Sequence, residues 1–465
     1  MGFVVKKYKL FVFLLEGVDA SLVREFSSLI FRQFRELPTR CAQGHIRRER
    51  AEMAKNQPKN HVRNLRRHPL APILVISAAI FVIVSINGTE NLEFKEVSTL
   101  QIPDGVRIVG FGEATHGSHE FKQLASDTFK MLVQQHGFRV FAAEASFSSS
   151  LAANNYIIYG IGSASEVAAN LGAWFHNFQE TVDLVGWMRH FNMTAEAGDE
   201  IRFFGFDIYE VANSRQNWLN FVGADDGSLD FANTLSSNLP FTSYEELSEN
   251  IMTLERIIDE AQGDGVEFEF AFQSLVNLKF ATQMAIIAGE GGPTAATLAH
   301  RGQKMFENLL WIAEQEEKAG RGGVFVFAHN GHIMRTSFQD VQSLGGHLSA
   351  RFDDEYLAIG TSFHRGNTIV WNPSQMSFTE FSMNMSTNRL FGSTRLTRAF
   401  VDADMDVALL DINNQKTNQT LNSRQRVGAV GTNALRPAHR NTLSLVPDES
   451  FDKMIFVRTA SPANN

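Results

Sequence analysis

The chain has 465 residues, 44% hydrophobic and 20% charged, with a formal net charge of −9, a composition that supports a sizeable globular core. A single cysteine, Cys41, excludes an internal disulfide and any cysteine-rich metal site. Up to His68 there are 15 Lys plus Arg against 6 Asp plus Glu, and beyond it 27 against 45; the acidic main body is unsuited to nucleic acid, whose phosphates need cations.

Residues 1–69 form a basic, poorly specified N-terminal region. Residues 70–86 read "LAPILVISAAIFVIVSI", without a charge, and follow Arg63, Arg66 and Arg67. Their length falls within the transmembrane range, and the basic flank predicts a cytoplasmic start. The expectation is a membrane partner: a single-pass anchor with the following domain exported, or a secreted domain if Met53 is the start and the segment is cleaved as a signal. A buried core element is the alternative.

Residues 88–465 alternate strands with helices. "VRIVGFG" (106–112) is a short β-branched run and predicts a strand; apolar Phe121, Leu124, Phe129 and Leu132 then recur at helical spacing over about 118–135. "FRVFAAE" (138–144), "IRFFGFD" (201–207), "GVFVFAH" (323–329) and "EYLAIGTSF" (355–363) predict further strands. Helical sequence fills the intervals, and the stretch from about 212 to 320 is too long for one crossover. The predicted fold class is α/β: a mostly parallel central sheet, helices on both faces, and an inserted helical subdomain that roofs the sheet.

Four of these strands end on ionisable groups. Glu113 closes the first, with His116 three residues on; Glu144 closes the second, Asp207 the third, and His329 the fourth, with His332 three further. In an open parallel sheet the carboxyl ends share one crevice, where ligands bind. One such acid is usually a helix cap, and one such histidine a satisfied core residue; four strand ends with the same feature demand a common reason. Imidazole exchanges protons near neutrality, and a carboxylate fixes its tautomer. No Gly-x-Ser-x-Gly elbow is present and Cys41 precedes the folded region, which leaves direct attack by activated water. The same groups suit zinc or manganese, although "HNGH" and "GEATHG" lack standard metal spacing, so a metal-dependent hydrolase stays open. So does a haem- or siderophore-binding protein with the histidines as axial ligands. The aromatic stripe over 173–192, including Trp187, suits a bulky apolar ligand, with plain core as the ordinary alternative.

"GFGEATHGSHEF", "HGFRVFAAEAS", "VGWMRHFN", "IRFFGFD", "FVFAHNGH" and "FDKMIFVRTASPA" occur in this order, and together they resemble the erythromycin esterase family from about Val106 to Pro462. The resemblance implies hydrolysis of a bulky carboxylic ester or macrolide-like lactone by water, without a cofactor or metal. It implies that His116 is the general base and that Glu113, Glu144, His329 and His332 orient it and bind the ester. Arg301, in "HRGQKMFENLLW", falls where the family keeps an arginine and joins Asp207 and Trp187 as expected substrate-binding residues. The expected partner is a small-molecule ester or lactone.

Overall fold

The computed structural model describes residues 92–209, 211–223, 244–289, 294–385, 395–434 and 441–464. Within the unit Asn87–Asn465 the elements run β1 (Phe94–Lys95), β2 (Ile108–Glu113), α1 (His119–His136), β3 (Val140–Ser146), α2 (Phe147–Tyr159), α3 (Ala164–Ala169), α4 (Gln179–Asn192) and β4 (Arg202–Asp207). Helices α5 (Ala212–Val222), α6 (Tyr244–Glu260), α7 (Gly265–Ala288) and α8 (Ala295–Lys318) follow. Then come β5 (Val324–His329), α9 (Asn330–Ile333), α10 (Leu344–Phe352), β6 (Tyr356–Asn372), β7 (Ser377–Asn384), α11 (Arg395–Asp402), β8 (Val407–Asp411), β9 (Gln425–Gly428), β10 (Thr442–Leu445), α12 (Pro447–Ser450) and β11 (Lys453–Ala460).

The main sheet has nine strands in the order β1-β8-β11-β6-β2-β5-β3-β4, with β7 paired to β6. From β11 to β4 all pairs are parallel; β8 and β1 add an antiparallel edge. The mostly parallel sheet expected from the sequence is therefore present. The central strands are apolar on both faces, as a sheet covered by helices requires. In β5, Val324 and Val326 join one core with Met305, Leu309 and Ile312 of α8. The alternate residues Phe325 and Phe327 join a second core with Phe129 and Leu132 of α1 and Val185 and Met188 of α4. Each fully buried phenylalanine contributes about 1.5–3 kcal/mol.

The long helical stretch divides in two. Helix α8 packs on the sheet through the residues just named, behind a capping box formed by Thr294 and Thr297. Helices α5, α6 and α7 bury a separate cluster that includes Trp218, Leu254, Leu275 and Leu278.

The expected membrane anchor, membrane partner and export are corrected. Residues 70–86 lie outside the described residues, and among the described residues no helix is long and apolar enough to cross a membrane. The 24-residue α7 is interrupted by Glu267, Glu269 and Lys279, and charges inside a span are costly.

Candidate active site

Strands β2 and β5 end side by side, with Glu113 opposite His329. Their neighbour β3 shifts register between Ala143 and Ser146, and Glu144 sits in that bulge. Bulges re-aim side chains beside sites, and this one leans on β4 at Gly205, where any Cβ would collide with the carbonyls of Ala145 and Ser146. At the end of β2, a Cβ on Gly112 would collide with the Asn330 amide. That amide is itself fixed between the N–H and carbonyl of Thr361, at 3.0 and 2.7 Å.

Two clusters result. In the first, His116 Nδ1 lies 2.6 Å from Glu113 Oε1 and donates to it. The other carboxylate oxygen faces Lys122 Nζ at 3.5 Å. Burial would raise the Glu113 carboxyl, but the Lys122 charge and the His116 hydrogen bond outweigh it and hold it below the usual range. The His116 ring stacks on Phe175 at 4.2 Å. Its Nε2 makes no hydrogen bond to a described residue.

In the second, Arg301 reaches down from α8. It donates to Asp207 Oδ1 and Oδ2 at 3.1 and 2.5 Å and to Glu144 Oε1 at 2.9 Å. Glu144 Oε2 accepts the His329 backbone N–H at 2.9 Å. His332 Nε2 lies 3.2 Å from Glu144 and 3.1 Å from Arg301. Arginine only donates and a carboxylate only accepts, so whether Nε2 of His332 carries a proton decides which contact it makes. Despite burial, His332 and Arg301 hold Glu144 well below the carboxylate range.

His329 connects the two clusters. Its ring lies 5.3 Å from that of His116. Its Nδ1 accepts the Gly331 N–H at 3.2 Å, which places the ring proton on Nε2. That nitrogen is buried and has no partner among the described residues. Burial, with His116 next, lowers its pKa to about 3, so the ring stays neutral. His176, not anticipated from sequence, is also buried; burial lowers its pKa to about 4, and its Nε2 donates to the Glu144 carbonyl at 2.9 Å.

These groups surround a cavity of about 350 Å³, lined by His116, Glu144, Phe175, Asp207, Tyr209, Arg301, His329 and His332. A polar cleft of about 810 Å³ adjoins it across Phe338, Gln339, Thr442 and Leu443. Every sequence-selected residue except Trp187 belongs to these clusters. Trp187 lies with the second core, edge-on to Phe129 at 6.0 Å, and is not part of the cavity lining. Phe175, from the aromatic stripe over 173–192, does line the cavity; the residues missed were Lys122 and His176. Neither stands at a strand end; only the helical period of α1 could have placed Lys122, in its first turn, beside the end of β2.

A protein-family model described as erythromycin esterase matches residues 133–460, a span that includes Glu144, Asp207, Arg301, His329 and His332 and begins beyond Glu113 and His116. An erythromycin esterase type II from Escherichia coli is 22% identical over 304 residues, 57% of this chain and 71% of that protein. Among solved structures, a Bacillus cereus protein superposes with a TM-score of 0.64 at 22% identity, over 77% of this chain and 90% of its own. A succinoglycan biosynthesis protein gives 0.64 at 20%, over 78% and 90%, and an erythromycin esterase mutant in its open conformation gives 0.58 at 15%, over 78% and 92%.

Proposed function

The chain belongs to the erythromycin esterase family and is a carboxylic ester hydrolase, and from that premise we propose that it opens a bulky, macrolide-like lactone with water activated by His116. The observation that carries this reading is the Glu113–His116 pair. The 2.6 Å contact takes up Nδ1 and leaves Nε2 as a lone-pair base at the 350 Å³ cavity.

The steps follow from the geometry. Water bound at His116 Nε2 loses a proton to the ring as its oxygen attacks the ester carbonyl carbon. Glu113 stabilises the imidazolium that forms. The carbonyl oxygen becomes an oxyanion, and the Nε2–H of His329, buried and without a partner among the described residues, is a donor available to meet it. Such a donor is worth about 10²–10³ in rate. The tetrahedral intermediate collapses, the carbon–oxygen bond to the alcohol breaks, and the imidazolium returns its proton to the leaving alkoxide.

Charge balance supports one proton shuttling here. Three carboxylates, Glu113, Glu144 and Asp207, face two fixed cations, Lys122 and Arg301. The site therefore holds one net negative charge while its histidines are neutral, and an imidazolium at His116 neutralises it. Arg301 also bears on the metal-dependent alternative. The guanidinium already engages both Asp207 oxygens and one of Glu144, so the carboxylates that would ligate a metal are spent on a cation from the chain.

The two cavities support the substrate class. Ligand sites commonly measure about 300–1,000 Å³. The smaller space takes the ester linkage, and the adjoining cleft takes the remainder of a large ring. Incubation with erythromycin and with small aryl esters, followed by mass spectrometry, tests this. The expected product gains one water on the macrolide. Hydrolysis of small esters alone would remove the macrolide, and activity only after adding metal would replace the mechanism.

A further inference from the structure

Lys122 has no part in the reaction steps above, yet it is one of the most buried charges in the protein. It lies on α1, its side chain 4% exposed. Its ammonium meets one carboxylate oxygen, Glu113 Oε2 at 3.5 Å, and the faces of Phe178 and Phe327, each 5.7 Å away. Ring faces attract a cation only modestly. Burying a lysine in such a place costs several kcal/mol unless a counter-ion compensates. Among the described residues its sole ion-pair partner is the carboxylate that also holds the candidate base.

Glu113 is therefore shared. One oxygen orients His116, and the other neutralises Lys122. An isolated carboxylate beside an imidazole strongly favours the imidazolium. A protonated His116 cannot accept a proton from water, so an unopposed Glu113 would favour the form that cannot act as the base. A fixed cation behind the same carboxylate offsets that pull. The other ionisable groups facing His116 are Glu144, and behind it Asp207, Arg301 and His332; His329 and His176 remain neutral. Lys122 is the cation that touches the base's own carboxylate.

We propose that Lys122 is a positioning residue for the reaction, a buried cation that keeps His116 unprotonated at rest by sharing Glu113. This rests on His116 being the base, and the test keeps the two claims apart. The pH dependence of kcat/KM is measured for the wild type, Lys122→Met, Lys122→Gln and Lys122→Arg, with melting temperatures alongside.

The sign follows from the charge. Removing the cation stabilises the imidazolium, so the acid limb, where activity falls as His116 takes up a proton, moves to higher pH. At protein-like effective dielectric the expected move is about one to two pH units. Lys122→Met and Lys122→Gln both show it, with high-pH activity retained to within about tenfold, a loss no larger than displacing a supporting group costs. Lys122→Arg restores the wild-type limb. A merely structural lysine would lower melting temperature and rate together and leave the limb where it was. An unmoved limb in a folded neutral variant, or failure of both neutral variants to fold, overturns the proposal. Failure of the base reading is separate: it appears as wild-type turnover when His116 itself is replaced.

Discussion

The two edges of the sheet both bury ions, in opposite manners. At the edge where β6 and β11 begin, Asp452 Oδ2 accepts Arg335 Nε and Nη2 at 3.0 and 2.8 Å and the Ala358 N–H at 2.7 Å. Asp452 Oδ1 accepts Asn413 at 3.1 Å. Arg335 completes its donors on Ser349 and the Tyr356 carbonyl. At the edge where β2, β3, β4 and β5 end, the carboxylates are equally well paired, but among the described residues His329 Nε2 has no partner and neither does His116 Nε2, on a ring that lines the cavity. A saturated ion cluster can only hold the chain. One that retains an open base and an open donor can also do chemistry, and that difference, more than burial or charge, separates a site from a staple.

The sharpest test of the comparison replaces the arginine at each edge. Removing one partner of a buried ion pair costs about 3–5 kcal/mol. Arg335→Met should lower stability by that much and leave kcat of the folded protein unchanged, any further effect falling on KM because Arg335 also lines the larger cleft. Arg301→Met should cost as much stability and also activity, because Glu144 and Asp207 lose their shared counter-ion. Denaturant melts beside kinetics read both. A fall in kcat of folded Arg335→Met would break the contrast.

His329→Asn isolates the orphaned donor. The amide oxygen can still accept the Gly331 N–H, but nothing replaces the Nε2–H. The expected loss in kcat is about 10²–10³, with little change in melting temperature. A loss confined to KM would mean that His329 only binds the ester.

Acid is the mildest probe. His329 and His176 are held neutral, with pKa values of about 3 and about 4, while the unfolded chain takes up protons below about 6.5. Unfolding therefore becomes easier as pH falls from about 6.5 toward those values. At pH 5 the loss is on the order of 2 kcal/mol per histidine. Below about 4.5 the lowered carboxylates Glu113 and Glu144 add to it. Replacing His176 with glutamine should remove one histidine's share, as read from melting temperature against pH.

Much of this edge was legible in the sequence because each strand announces itself as an apolar run closed by one ionisable residue. "VFVFAH" needs nothing more to put His329 at a strand end. The opposite half was legible only where β6 begins, in "EYLAIGTSF". The 17-residue β6 loses its apolar signal after Phe363, where it leaves the core to pair with β7 and alternates polar residues outward. The antiparallel edge of β8 and β1 depends on long-range pairing, which local periodicity does not encode. The bulge that aims Glu144 rests on Gly205, 61 positions away, and Lys122 reads as one more solvated helical lysine until its neighbours are known. The apolar run at 70–86 lies outside the described residues, and no described helix supports the membrane anchor that its hydropathy predicts.

The central claim is that His116 is the base, held by Glu113. Replacing it with asparagine keeps an N–H for Glu113 Oε1 and removes the ring nitrogen that faces the cavity. Turnover of a competent ester, measured beside the melting temperature, is the most direct test. The expected result is a fall of about 10²–10⁴ in kcat/KM in a protein that melts as the wild type does. Near wild-type turnover by folded His116→Asn would contradict it.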